Sequence, residues 1–251
     1  MDLSGVRTAY KTRANAFLED DITIKDPFNL FGKWYDEAKN TPTIKEPTAM
    51  CLATATKDGF PSARFVLLKA YGDDGFQFYT HYTSRKGQEL EENPNVALTF
   101  YWADINKSIR IEGAVKKLPM SYAEKYFHSR PYESQIGSLC SDQSKPIESR
   151  QKLIEEADNL SQKYKEGEVP KPTHWGGYLV VPKSIEFWQG QTDRIHDRIN
   201  LLRCHSEEPG SSDYRIHGAD TIWRIDRIRV LDSLWDIPRG PDHRGYPNGE
   251  A

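Results

Sequence analysis

Short apolar stretches alternate with polar residues along most of this chain, and tight turns punctuate them. Thr48–Thr56, Ala63–Tyr71 and Phe76–His81 read as strands. The turns between them, Lys57-Asp58-Gly59 and Asp73-Asp74-Gly75, are hairpin signals, because glycine accepts the positive φ that a tight antiparallel connection needs. Val96–Trp102 and Ser108–Leu118 predict a further hairpin. Gly177–Val181, Ser184–Gly190, Arg194–Leu202 and Ile222–Val230 predict the remaining strands, after Gly176-Gly177, which reads as a bend. A helical period appears where Asp26 can cap and Pro27 can open a helix with Phe28, Phe31, Tyr35 and Ala38 on one face. Ser84–Asn93, Met120–Arg130 and Ile147–Lys165 are the other predicted helices, the first two halted by Pro94 and Pro131. Cys140–Pro146 reads as a polar loop, and residues 1–24 as an arm without a period. Short strands with helices set between them, rather than after each one, predict an antiparallel barrel and argue against a doubly wound parallel sheet.

Composition narrows the function classes. A chain of 251 residues is long enough for a sizeable core, and a net charge of −3 gives no reason to expect a general nucleic-acid binder. No apolar run approaches the roughly 20 residues of a membrane span, and Met1 to Tyr10 lacks the apolar centre of a signal peptide. Cys51, Cys140 and Cys204 are too scattered for a disulfide framework or a zinc site, so reduced cytoplasmic thiols and no metal are expected.

Within this nearly neutral background the cations cluster locally. In Arg194-Ile195-His196-Asp197-Arg198 an extended backbone puts Arg194, His196 and Arg198 on one face, where they repel unless something anionic lies against them. Trp188, Gln189 and Gln191 just before them favour a binding wall over a solvated basic stripe. Ser84-Arg85-Lys86 opens a helix with cations at the positive end of its dipole, an arrangement that a bound phosphate would reverse. Arg64 and Lys69 flank an apolar strand on opposite faces and so suit two different anions. Tyr126 and Arg130 stand one helical turn apart, with Ser134 beyond the proline; a phenol, a guanidinium and a hydroxyl there suit a phosphate monoester. There is no G-x-G-x-x-G fingerprint, so a Rossmann-type dinucleotide site is not expected.

The stretch E-F-W-Q-G-Q-x-x-R-x-H-D-R, Glu186 to Arg198, resembles the C-terminal signature of pyridoxine (pyridoxamine) 5′-phosphate oxidases. A-M-x-L-A-T, P-S-A-R-x-x-L-L-K, F-x-F-Y-T, S-R-K-G, Y-F-H-S-R-P, S-Q-I-G, E-V-P-K-P and W-G-G-Y follow that family's order, and the resemblance runs from about Val6 to Arg227. It implies a homodimeric split β-barrel over residues 25–230 that binds flavin mononucleotide (FMN) at the subunit interface. The reaction implied is oxidation of pyridoxine or pyridoxamine 5′-phosphate to pyridoxal 5′-phosphate, with oxygen as acceptor. It also implies an FMN site of Arg64, Phe65, Val66, Leu67, Tyr79, Thr80, Arg85, Lys86, Gln143, Ser144, Trp188 and Arg198, with Ser108 where the family has glutamine. The substrate site implied is Lys69, Tyr126, Arg130, Ser134, Arg194 and His196, with Arg7 and Tyr10 on an arm over the substrate and Arg194 and His196 at the chemistry. Residues 231–251 extend past the family's usual end and are rich in proline and glycine, which predicts disorder. Another flavin oxidoreductase on the same barrel, or a non-catalytic FMN or pyridoxal phosphate carrier, stays open as an alternative.

Overall fold

The computed structural model describes Phe17 and residues 26–191, 196–204, 214–215 and 222–227. Its sheet has the strand order β2-β1-β5-β6-β7-β8-β10-β9, with β4 joined to β7 and β3 to β4. The strands are β1 (Ala49–Ala55), β2 (Pro61–Leu67), β3 (Ala70–Gly72), β4 (Gly75–His81), β5 (Asn95–Trp102), β6 (Lys107–Lys117), β7 (Trp175–Gln189), β8 (Asp197–Cys204), β9 (Tyr214–Arg215) and β10 (Ile222–Arg227). Every pairing among the described residues is antiparallel. Mainly-β architecture with interposed helices is therefore what the hydrophobic pattern predicted.

The spine is β7. One edge pairs with β6 over most of its length, while the other takes β4 at Trp175–Val180 and β8 at Ser184–Gln189. Between these two partners the register shifts, because Glu112 opposes Ser184 while Gly113 opposes Pro182. Lys183 is thus the extra residue of a bulge, where a proline beside it removes no needed ladder bond and the strand can bend. The bend lets β4 and β8 diverge, so the sheet curls as two parts rather than closing once. Gly113 is required at that point: a Cβ there would lie 2.2 Å from the carbonyl oxygen of Val181.

Helix α1 (Pro27–Lys39) plugs the curled sheet. Asp26 caps it, its Oδ1 accepting from the Phe28 amide at 2.9 Å. Phe28, Phe31, Trp34 and Ala38 are buried; the Phe31 ring lies edge-on to Phe76 and Phe100, with centroids 5.0 and 5.3 Å away. A smaller second core, Ala123, Phe127, Ile136, Val169 and Trp175, joins α3 (Met120–Ser129) and α4 (Tyr132–Cys140) to the outer face of β4 and β7. Helices α2 (Arg85–Glu92) and α5 (Arg150–Lys163) complete the described fold.

Four local expectations are corrected. The stretch 63–71 is two strands broken at Leu68-Lys69, so Lys69 lies past the end of β2 rather than on its opposite face. The supposed bend at Gly176-Gly177 is inside β7; its missing side chains make room for the Tyr82 and Tyr79 rings, 2.1 and 2.7 Å from where a Cβ would sit. Residues 177–190 therefore form one bulged strand, not two, and the strand expected from Arg194 begins at Asp197. Helix α4 was not foreseen, because its residues YESQIGSLC carry no sustained apolar period: it buries Gln135 and Ser138 beside Ile136. The arm, and the extension 231–251, lie outside the described residues apart from Phe17.

Candidate active site

A first group of cations gathers where α2 crosses the β1–β2 hairpin. Ser84 caps α2, its hydroxyl accepting from the Gly87 amide, and this turns Arg85 and Lys86 toward the sheet. Lys86 is 9% exposed, and among the described residues its Nζ reaches only neutral oxygens: Gln143 Oε1 at 2.6 Å, Thr80 Oγ1 at 3.2 Å and Ser84 Oγ at 3.5 Å. Burial, reinforced by the Arg64 charge and opposed by Glu89, lowers the Lys86 pKa to about 8. A buried ammonium held by neutral groups is costly, and an anion beside it would remove that cost. Arg64 enters from β2, donating to the Leu52 carbonyl at 3.3 Å, to Thr54 and Ser62, and to Glu89 at 3.2 Å. Arg85 Nε donates to Glu89 at 2.8 Å. Ser144, next to Gln143, takes a left-handed φ of 74°, an uncommon conformation for a residue other than glycine.

The second group lies on the other side of β4, against the smaller core. The Tyr126 ring packs 4.2 Å from Tyr79 and 6.0 Å from Trp175, with Lys69 Nζ 6.0 Å from its centroid. The Arg130 guanidinium sits 5.0 Å from the Trp175 ring and donates to Ser138 Oγ at 2.7 Å. Ser138 in turn donates to the Ser134 carbonyl at 3.0 Å, which ties α4 to the arginine. Burial lowers the Arg130 pKa, against the nearby Tyr126 phenol, and burial followed by the charges of neighbouring tyrosines raises that of Tyr79. His81 lies between the two groups: burial, then His174, Lys86 and Arg130, hold its pKa down to about 4, so it is neutral at pH 7.

A third group occupies the opposite face of the large sheet. Ser108 pairs with Trp188, and Trp188 with Arg198, so the three side chains form a row across β6, β7 and β8. Phe65, paired with Cys51, belongs to the same face and is 77% exposed. Ser108 donates to the Phe100 carbonyl at 2.9 Å, and Arg198 approaches Glu186 at 3.6 Å. His196 is buried with its ring 5.1 Å from Trp188, and its Nδ1 accepts from the Gln191 amide at 2.9 Å. In the neutral ring this puts the proton on Nε2. Asp197 accepts from Gln191 Nε2 at 2.6 Å and from the Phe17 amide at 2.8 Å.

Arg64, Thr80, Arg85, Lys86 and Gln143 thus converge in one cluster, and Lys69, Tyr126 and Arg130 in another. Tyr79 joins the second cluster through its ring stack with Tyr126. Val66 shares the core-facing side of β2 with Arg64, whereas Phe65 and Leu67 point the other way, into the family of positions that holds Ser108, Trp188 and Arg198. Arg7, Tyr10 and Arg194 lie outside the described residues. Sequence reasoning passed over Glu89, Ser138 and Trp175. The i,i+4 spacing of Arg85 and Glu89 was the one available signal for the first; the other two needed α4 and the helix-on-sheet contact.

Comparison with known proteins bears directly on this arrangement. Residues 37–163 match a family model described as pyridoxamine 5′-phosphate oxidase, and residues 175–229 one described as the pyridoxine 5′-phosphate oxidase C-terminal dimerisation region. The chain is similar to the pyridoxine/pyridoxamine 5′-phosphate oxidase of Bombyx mori, 50% identical over 91% of this chain and 89% of that protein. It is also similar to the pyridoxine-5′-phosphate oxidase of Bos taurus, 53% identical over 91% and 87%. Among solved structures it resembles PhzG of Burkholderia lata 383, in complex with tetrahydrophenazine-1-carboxylic acid, with a TM-score of 0.74 and 28% identity over 86% and 98% of the two chains. A pyridoxamine 5′-phosphate oxidase-related, FMN-binding protein of Nostoc punctiforme shares the fold, with a TM-score of 0.62 at 12% identity over 82% and 98%.

Proposed function

The chain belongs to the pyridoxamine 5′-phosphate oxidase family, and from that premise we propose that it oxidises pyridoxine 5′-phosphate and pyridoxamine 5′-phosphate to pyridoxal 5′-phosphate with FMN as cofactor. FMN, when bound, supplies the two-electron acceptor; oxygen takes the electrons on to hydrogen peroxide, and the amine substrate also yields ammonia. The observation that carries this reading is the pair of cation clusters on either side of β4, one for each of two phosphate monoesters.

Lys86, Arg85 and Arg64 suit the flavin phosphate, because a dianion would give the buried Lys86 ammonium the counter-charge that its neutral partners lack. Thr80 and Gln143 orient that ammonium. Lys69, Tyr126 and Arg130 suit the substrate phosphate, with Ser134 on the adjoining turn. Holding a phosphate remote from the reacting carbon fixes the ring without touching it. The Gln191 amide holds His196 Nδ1 and so fixes the ring beside Trp188, and His196 is assigned to orient the substrate ring. Arg194, two residues away, is assigned to the reacting carbon as the neighbour of His196 in the shared motif.

The two sides of the sheet support the rest of the reading. Phe65, Leu67, Ser108, Trp188 and Arg198 face away from Lys86, so one copy does not bring all the FMN residues to one point. A homodimer, with FMN between the copies, reunites them, and the match to a dimerisation region agrees with that assembly. The Ser108 proton goes to the Phe100 carbonyl and serine is shorter than the glutamine it replaces, which leaves one expected flavin contact to water. No described helix is long and apolar enough to cross a membrane, and the cytoplasm is the compartment proposed.

The test is the visible spectrum of the purified protein under nitrogen. Pyridoxamine 5′-phosphate should bleach the flavin absorbance and leave pyridoxal 5′-phosphate, and air should restore the colour. A yellow protein that neither phosphorylated vitamer bleaches would overturn the reading in favour of a carrier or another flavin oxidoreductase.

A further inference from the structure

Glu89 is not among the residues assigned above to either phosphate, yet it is bound more heavily than its sequence suggests. It lies in RKGQELEE, a helix that reads as a solvated surface, but it is only 5% exposed. Its Oε1 accepts from Arg85 Nε at 2.8 Å, and its Oε2 from Arg64 Nη2 at 3.2 Å and from Thr54. Ser62 Oγ lies 2.8 Å from Oε2 and 3.1 Å from Oε1. Burial alone would raise its pKa; the hydrogen bonds from Thr54, Arg85, Ser62 and Arg64 outweigh burial and hold it down to about 2.

A buried ion pair is seldom a net source of stability, since apolar residues of similar volume often serve as well or better. What this carboxylate does supply is orientation. It takes Nε of Arg85, which anchors that guanidinium on one side, and one Nη of Arg64, whose two Nη groups are also held by Leu52, Thr54 and Ser62. Both Nη groups of Arg85 make no hydrogen bond among the described residues, and its side chain is 55% exposed. The charges also match: Arg64, Arg85 and Lys86 against Glu89 leave an excess of two positive charges, and a phosphate monoester carries about −1.5 to −2.

Resting on the FMN reading above, we infer that Glu89 is a positioning residue for the flavin phosphate. Its carboxylate fixes the Arg64 guanidinium in place and turns the unbonded Nη edge of Arg85 to receive a terminal phosphate monoester, and so confines tight binding to phosphorylated flavin. Through-space repulsion runs the opposite way, because an anion near a phosphate should weaken binding. The guanidinium groups that Glu89 contacts stand between the two, so the loss of orientation outweighs the relief of repulsion when Glu89 is neutralised.

The experiment titrates apo-protein with FMN and with riboflavin, following quenching of flavin fluorescence, for the parent, Glu89→Gln and Glu89→Asp. Loss of the hydrogen-bond partner that orients a metal ligand typically costs about 10- to 100-fold in affinity, and a guanidinium oriented for a phosphate should behave alike. Glu89→Gln should weaken FMN about tenfold or more and leave riboflavin within about twofold. Glu89→Asp keeps the charge but is too short to span both arginines, so it should show a smaller loss, again in FMN alone; it also serves if the glutamine variant does not fold. The pH profile gives a second readout. Lys86 faces Arg64 and Glu89, with His81 nearby, and removing the Glu89 charge should move the fall in FMN affinity at alkaline pH to lower pH. Glu89→Asp, which keeps the charge, should leave that midpoint in place. Parallel losses for FMN and riboflavin, or tighter FMN binding by Glu89→Gln, would overturn the inference. A parent that binds both flavins equally would instead overturn the phosphate site itself, and Glu89's role with it.

Discussion

Lys86→Met should make the apo-protein more stable while depriving it of FMN. The wild-type lysine is 9% exposed and, among the described residues, has only Thr80, Ser84 and Gln143 as hydrogen-bond partners. Its pKa is lowered from 10.5 to about 8, chiefly by burial. At about 1.4 kcal/mol for each tenfold change in proton affinity, folding the protonated form costs about 3 kcal/mol. Because the folded pKa lies below the unfolded one, the unfolded chain holds more protons between pH 8 and 10.5. Stability of the apo-protein therefore rises with pH across that window by up to about 3 kcal/mol, and the cost is fully present below pH 8. Methionine matches the lysine stem without the charge. It leaves Gln143 Oε1 with the Thr80 hydroxyl at 3.3 Å, so a lost hydrogen bond of about 1 kcal/mol offsets part of the gain. The net expectation is about 1–2 kcal/mol of added stability at pH 7, and loss of the pH-dependent rise. Urea unfolding of both apo-proteins at equal concentration, at pH 7 and near pH 9.5, measures it. FMN affinity of the parent should fall as the pH passes about 8, and that of the variant should be low throughout. A variant less stable than the parent at pH 7 would refute the view of Lys86 as a burdened cation awaiting a phosphate.

Arg130→Ala should raise KM with kcat nearly unchanged, because it holds the substrate phosphate equally in ground and transition states, whereas Arg194→Ala should lower kcat as well; steady-state kinetics with both substrates distinguishes them, and equal effects confined to KM would remove Arg194 from the chemistry. Phe31→Ala should cost about 3–5 kcal/mol in denaturant unfolding, since its fully buried ring is packed among Tyr71, Phe76 and Phe100 and the sheet cannot collapse onto the space. Truncation after Ile237 should leave flavin content and turnover as they are; a large loss of either would make the extension part of the working enzyme.

The sequence by itself determined the elements whose cause is local. The Asp26 cap and Pro27 start α1, the Asp-Gly turns close the hairpins, and period-two alternation marks the strands, because each depends on residues a few positions apart. It also named, through ordered motifs, the cations of both clusters. Only the tertiary structure decided how these were shared out. Lys86 meets Gln143 across 57 positions, and Arg64 meets Glu89 across 25, because the sheet curls and α2 lies over its first hairpin. The opposed faces of Arg64 and Phe65 follow from strand geometry, but which face is turned to the core is set by the whole sheet. Glu89 and Lys86 show the reason most plainly. A charged side chain in a polar helix reads as solvated, and its chemistry changes only when distant strands exclude water from it and supply its partners.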